Sequence, residues 1–260
     1  MEPLGEILAG FAPISLSEMD SIKLMNRVDS KFVTDVASLL RVLRRARDAG
    51  YMALEEDGER LHGYDTLYYD TPDRDMYLAH HNGSLTRQKV RVRTYLSSSD
   101  TFLEIKNKDN HGRTRKKRTA VPRQAFSRIT DDASAKEYLL KKCRYDVTTL
   151  SPALGTAFRR ITLVNPAKTE RLTIDTSLSF SNPRTGRQVS LGDGVIIELK
   201  QDSLAASQML EILLSERIHP LRVSKYCIGS ALTDPSLKQN RFKLKLRLIE
   251  KTTGNKLTTI

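Results

Sequence analysis

Residues 87–95, RQKVRVRTY, alternate charged and apolar side chains with the two-residue period of a β-strand. Arg87, Lys89, Arg91 and Arg93 therefore share one face, and Val90 and Val92 share the other. Like charges stacked on one face repel each other, so the segment needs either bulk water or an anion beside it. Three further stretches read the same way. In 102–108, Glu104, Lys106 and Lys108 lie opposite Leu103 and Ile105. In 171–175, Arg171, Thr173 and Asp175 oppose Leu172 and Ile174, and in 194–200, Ile196, Glu198 and Lys200 oppose Ile197 and Leu199. The apolar faces belong to a core. The charged faces line either a solvated sheet surface or, if the sheet curls on itself, an interior rich in Lys and Arg.

Two features favour the interior. The charged faces are dominated by cations and broken only by Glu104, Asp175 and Glu198, and helices elsewhere in the chain can cover the apolar faces. Unpaired buried cations cost several kcal/mol each, roughly, so such an interior requires water and a polyanion. Guanidinium groups bind phosphate bidentately and ammonium groups act as compact point charges. The few carboxylates then suit a divalent cation, Mn²⁺ or Mg²⁺, shared with substrate phosphates.

Composition bounds the alternatives. A chain of 260 residues with 39% hydrophobic and 28% charged residues and a net charge of +12 folds around one large domain and seeks an anionic partner. Its segment order predicts a leader over 1–20, a main domain over 21–235 and a C-terminal strand or tail over 236–260. No G-x-x-x-x-G-K-[ST], G-x-G-x-x-G or G-x-S-x-G motif occurs. The absence of Trp, of a base-stacking aromatic strand motif and of a basic terminal arm argues against a nucleic-acid partner; only Tyr95 and Phe102 flank the cationic strands. The adjacent His80 and His81 diverge in direction and lack metal-ligand spacing. Cys143 and Cys227 form no disulfide framework, and no apolar run reaches the roughly 18 residues that span a bilayer. With no basic signal-like start, these features point to the cytoplasm, with a membrane partner left open.

Along the chain, NRVDSKFV reads as a strand, followed by a helix capped at Thr34 with Val36, Leu39, Leu40 and Leu43 on one face and Arg41, Arg44, Arg45 and Arg47 on the other. Helical intervals are expected over 123–142, from Ser203 to before Pro220, and from near Ser224. The strictly alternating RFKLKLRLIE, 241–250, is expected to be a strand, with an amphipathic membrane-surface strip as the alternative. Many strands with a few helices predict an α+β fold: an antiparallel β-barrel with helices packed on the outside.

The ordered pieces R27-V-D-S-K31, V90-R-V-R93, E104-I-K106, K116-K-R118, F158-R-R160, R171-L-T-I-D175, I197-E-L-K200 and S224-K-Y226 resemble the catalytic domain of the vacuolar transporter chaperone (VTC) polyphosphate polymerases. These belong to the triphosphate tunnel metalloenzyme superfamily. The resemblance implies a tunnel in which Lys31, Arg91, Arg93 and Lys225 act on the reacting phosphates, while Lys106, Lys116, Arg118, Arg160, Arg171, Lys200 and Ser224 bind the chain. In the 113–118 run, Arg115 and Lys117 are the alternative inward pair. Glu198 is the expected metal ligand, with Glu104 and Asp175 as further candidates.

Where the superfamily's hydrolases carry E-x-E-x-K, this chain has Arg27, Asp29 and Lys31, which favours the polymerase branch, and Phe158 replaces a usual tyrosine. The implied reaction moves the γ-phosphate of a nucleoside triphosphate onto a polyphosphate chain, with a triphosphatase acting on tripolyphosphate or nucleotides as the alternative. A polyphosphate-binding module without catalysis is a third reading.

Overall fold

The computed structural model describes residues 2–22, 27–202 and 206–257, without the side chains of 20, 21 and 27. Its elements run α1 (Leu4–Ala9), β1 (Ala12–Ile14), α2 (Leu16–Ser21), β2 (Arg27–Asp35), α3 (Val36–Asp48), β3 (Met52–Leu54), β4 (His62–Asp70), α4 (Asp75–His81), β5 (Arg87–Tyr95), β6 (Thr101–Lys108) and β7 (Thr114–Ala120). Then follow α5 (Ala133–Lys142), β8 (Ser151–Val164), β9 (Glu170–Ser181), β10 (Gln188–Ser190), β11 (Gly194–Asp202), α6 (Gln208–Ser215), α7 (Lys225–Thr233) and α8 (Lys243–Thr253).

One antiparallel sheet carries the fold, in the order β2-β11-β9-β8-β4-β5-β6-β7, with β10 on β9 and the parallel pair β1–β3 added to β8. Its outer, apolar face is covered in two places, as the alternation requires. Ile161, Leu163, Leu172, Ile174, Ile197 and Leu199 pack under α1, α3 and α6. Val90, Val92, Leu103 and Ile105 pack under α5 and the short turn of helix over 123–126. The α+β expectation is therefore met, as a strongly curved sheet. Among the described residues no ladder joins β7 to β2, so the barrel is not closed by strand pairing.

The circumference is completed differently. Residues 220–224 run along the free edge of β2, where Phe32 bridges Pro220 and Leu221 N donates to Lys31 O at 2.7 Å. From there α7 crosses the inner face. Gly229 passes so close to Phe180 and Leu154 that a Cβ would sit 2.4 and 2.7 Å from them, which is why this turn of the helix needs glycine. At this end the inner face is apolar: Val33, Ile196, Leu154 and Leu178 join Tyr226, Ile228, Leu246 and Ile249 in one cluster, so α7 and α8 stopper the curved sheet.

Several local expectations are corrected. Asp35, not Thr34, caps α3, because its carboxylate accepts from Ser38 N at 2.8 Å while Thr34 is buried in β2. The interval 123–142 splits into a 3₁₀ turn (Arg123–Phe126) and α5, whose cap is Asp132. Ser203 lies outside the described residues, and α6 begins after its cap Ser207. Ser224 caps α7 as expected.

The 241–250 segment is a helix rather than a strand. Phe242, Leu246 and Ile249 recur at helical spacing and are buried, whereas Leu244, which strict alternation would place with Leu246, is 69% exposed. Within 1–20, α1 packs on α3 through the outer core, and β1 extends the sheet.

Candidate functional site

The inner face of the sheet gathers the cations that alternation assigns to it. Across β5–β6–β7, Arg91 pairs with Glu104 and Glu104 in turn with Arg118, while Lys89 pairs with Lys106 and Lys106 with Lys116. Across β8–β9–β11–β2, the registers set Arg160 beside Asp175, Thr173 beside Glu198, and Glu198 beside Lys31. The two halves are tied by the segment that leads into α7, since Lys31 Nζ donates to Val223 O at 3.3 Å and Lys89 Nζ to Oγ of the cap Ser224 at 2.8 Å.

Two of the three carboxylates are saturated. Fully buried Glu104 accepts from Arg91 Nε at 2.7 Å and Lys116 Nζ at 3.0 Å. Burial alone would raise its pKa, but Arg91, Arg93 and Lys116 hold it well below the carboxylate range. Asp175 takes Arg160 bidentately at 2.6 and 2.9 Å and also accepts from Lys225 Nζ. It too is depressed, burial being outweighed by Arg160 and Lys225. These two are counter-ions that fix the cations in place.

Glu198 differs. Its side chain is 26% exposed, its ion-pair contact is Lys200 at 3.7 Å, and it makes no hydrogen bond among the described residues. Against the penalty of burial, Lys31, Lys200 and Lys106 pull its carboxyl down to about 2. Among the described residues no group of three or more His, Cys, Asp or Glu side chains could hold a metal ion. A cation bound here would therefore be shared between Glu198 and ligand oxygens, a donor set that suits Mg²⁺ or Mn²⁺ with phosphate.

The cations outnumber these carboxylates. Arg93 is 6% exposed and forms no ion pair with a carboxylate among the described residues; its Nε donates to Thr66 Oγ1 at 3.1 Å, and its guanidinium lies 5.4 and 5.6 Å from the Tyr64 and Phe158 ring centres. Burial, Arg91 and Arg160 all push its pKa down. Lys106 is likewise driven well below its ordinary value, by Arg91 first, then burial and Arg93. Burial lowers Lys89 and Lys225 too.

Of the residues expected in the site, Lys31, Arg91, Arg93, Lys106, Arg160, Lys200, Ser224 and Lys225 converge on this interior. Lys116 and Arg118 also face it, from the exposed strand β7: Lys116 through Glu104, and Arg118 over the Phe102 ring at 4.6 Å. Arg171 sits half-buried on β9 beside Lys200. The side chain of Arg27 lies outside the described residues.

Sequence reasoning missed the aromatic wall. Tyr68 Oη accepts from Arg91 Nη1 at 3.2 Å, and Tyr64 stacks on Phe158 at 5.2 Å beneath Arg93 and Arg160. The alternation of Tyr64, Thr66 and Tyr68 in YDTLYYD carried that signal. Phe158, which lacks a hydroxyl, serves as a ring face under Arg93, Arg160 and Lys225.

A curved antiparallel sheet with this cation-lined interior has the triphosphate tunnel fold. The same fold occurs in a candidate adenylate cyclase of Bacillus halodurans, 12% identical, over 84% of this chain and 100% of that one, with a TM-score of 0.50. More distant likeness extends to a candidate adenylyl cyclase of Hippeastrum described as having a dominant triphosphatase activity (17% identity, 80% and 96% coverage, TM-score 0.46). No curated protein matches the chain. Residues 26–233 match the VTC domain, and the chain belongs to that family.

Proposed function

We propose that this chain is a polyphosphate polymerase-like phosphotransferase that moves the γ-phosphate of a nucleoside triphosphate onto a polyphosphate chain within the cationic interior. The observation that carries this reading is the surplus of buried cations, above all Arg93, which forms no ion pair with a carboxylate among the described residues. An anion of several linked phosphates supplies the missing charge along Arg93, Arg91, Arg160, Lys106 and Lys31. Arg171, Lys200, Lys116, Arg118 and Ser224 extend the contacts outward.

The attacking atom is a terminal phosphate oxygen, already anionic, so no strong general base is required. Donor and acceptor are aligned by fixed cations, and the charge spread over the transferred phosphoryl group is neutralised by Arg91, which Glu104 holds in place, by Lys225, which Asp175 holds, and by Arg93. Glu198 would hold a divalent cation, which when bound withdraws charge from phosphate oxygens. Arg27 in place of the first acid of E-x-E-x-K supports transfer to phosphate over hydrolysis by two metals.

The test follows the label of γ-³²P-ATP. Radioactivity in acid-insoluble polymer, with one ADP per phosphate incorporated, supports the polymerase. Radioactivity confined to orthophosphate would replace it by a triphosphatase.

A further inference from the structure

Tyr68 sits on the inner face of β4, opposite Arg91 of β5 and Leu154 of β8, and is 6% exposed. Its Oη accepts from Arg91 Nη1 at 3.2 Å. A phenol hydroxyl also carries one proton to donate, and a buried tyrosine ordinarily finds an acceptor for it. Among the described residues that proton has no acceptor.

The groups packed around the hydroxyl explain why. Arg91, Arg93 and Lys89 face it from β5 and Lys225 from α7, and all four are donors. The nearby carboxylates are occupied: Glu104 takes Arg91 and Lys116, and Asp175 takes Arg160 and Lys225. Asp70, two residues further along β4, accepts from the backbone N–H groups of Thr71, Met76 and Tyr77 and from the Tyr226 hydroxyl. Tyr226 in turn stacks on Tyr68 with ring centres 5.0 Å apart, which fixes the phenol with its hydroxyl among the cations. A buried donor in this position is costly unless an anionic oxygen enters beside it.

The electrostatics agree. Burial pushes the phenol of Tyr69, the next residue, which points the other way and donates to Phe126 O, up to about 12. Burial acts on Tyr68 too, but Arg91, Arg93, Lys89 and Lys225 outweigh it and hold this phenol below its ordinary value.

We propose that Tyr68 touches the substrate, its hydroxyl donating a hydrogen bond to a phosphate oxygen bound at Arg91. This rests on the phosphate-tunnel reading given above. The contact adds direction to a site otherwise built from charge. Ionised, the same phenol would be an internal anion beside Arg91, so the neutral phenol and the phosphate chain favour each other.

Calorimetric and spectroscopic titrations test it together, with tripolyphosphate as the probe. Tyr68→Phe keeps a ring against Tyr226 and leaves Arg91 bound to Glu104, so it removes the hydroxyl alone. Its Kd for tripolyphosphate should rise roughly ten- to hundred-fold, the loss of one hydrogen bond to a charged group. Tyr69→Phe, the same change on the opposite face, should leave the Kd unchanged. In wild type, alkaline titration of the phenolate absorbance should show one tyrosine ionising below the others. That step should be missing from Tyr68→Phe and should move to higher pH with saturating tripolyphosphate. The shift is read on wild type alone, so it stands even if the variant does not fold. Unchanged affinity in Tyr68→Phe, or a phenol titration that tripolyphosphate does not move, overturns the contact and leaves the tunnel intact. Failure of wild type to bind tripolyphosphate overturns the tunnel reading itself, and the contact with it.

Discussion

Replacing Arg93 with methionine separates stability from function with opposite signs. An uncompensated buried cation costs roughly 3–5 kcal/mol. Against this, Arg93 has one hydrogen bond to Thr66, about 1 kcal/mol, and two ring faces, Tyr64 and Phe158, together about 1–2 kcal/mol. The ligand-free protein is therefore left about 1–2 kcal/mol worse off for carrying the charge, and Arg93→Met, of similar length and apolar, removes that strain. At about 2–4 °C per kcal/mol for a chain of this size, Tm should rise by roughly 4 °C without ligand.

Binding moves the other way. Tripolyphosphate at about 100 times its Kd stabilises wild type by roughly 2.7 kcal/mol, an upward shift of about 5–10 °C. A roughly hundred-fold loss of affinity in the variant leaves about 1 °C. Thermal unfolding followed by circular dichroism, with and without tripolyphosphate, reads both numbers. A variant that is markedly less stable on its own, yet still shifts as wild type does, would refute the argument that Arg93 is held for an absent anion.

Other outcomes follow from the same geometry. Arg91→Ala or Lys31→Ala should lower turnover by roughly two to three orders of magnitude, the loss of about 3–4 kcal/mol of transition-state stabilisation, measured by ADP release. Glu198→Gln should abolish metal-dependent turnover while tripolyphosphate binding, followed by calorimetry, is retained or tightened. Asp175→Asn should cost about 3–5 kcal/mol in urea unfolding, because Arg160 and Lys225 lose their shared partner. Glu104 and Asp175 have native pKa values below their unfolded ones, so the unfolded chain binds more protons in acid. Their contribution should be complete above about pH 5 and fall away below about pH 4, as unfolding curves across that range will report. Finally, Ile249→Ala should cost about 2–4 kcal/mol and Leu244→Ala almost nothing, the signature of a helix at the C-terminal end.

The interior was legible because β-strand alternation is a local rule. Arg91 and Arg93, Lys106, Asp175 and Glu198 all lie on the face that their spacing assigns. Lys89 shared that face too, and its contact with Ser224 depends on a helix placed more than a hundred residues later. Pairing between distant groups is not a local property: nothing near Glu104 or Asp175 in the chain announces that each is taken by two cations while Glu198 is left open. The tail misled for a different reason. RFKLKLRLIE satisfies period two in its leucines and helical spacing through Phe242, Leu246 and Ile249, and only the packing of α8 on β2 and β11 decides between them. The closure by residues 220–224 and α7 was likewise illegible, since it depends on Gly229 fitting between Phe180 and Leu154.

The central claim is that the cationic interior holds a linear phosphate chain. A crystal structure of the protein soaked with tripolyphosphate tests it most directly. The account predicts phosphate density inside the curved sheet, with oxygens within hydrogen-bond reach of Arg91, Arg93 and Arg160, and one end running towards Lys106 and Lys31. Tripolyphosphate bound only on the outer surface, with the interior cations still closed on Glu104 and Asp175, would contradict it.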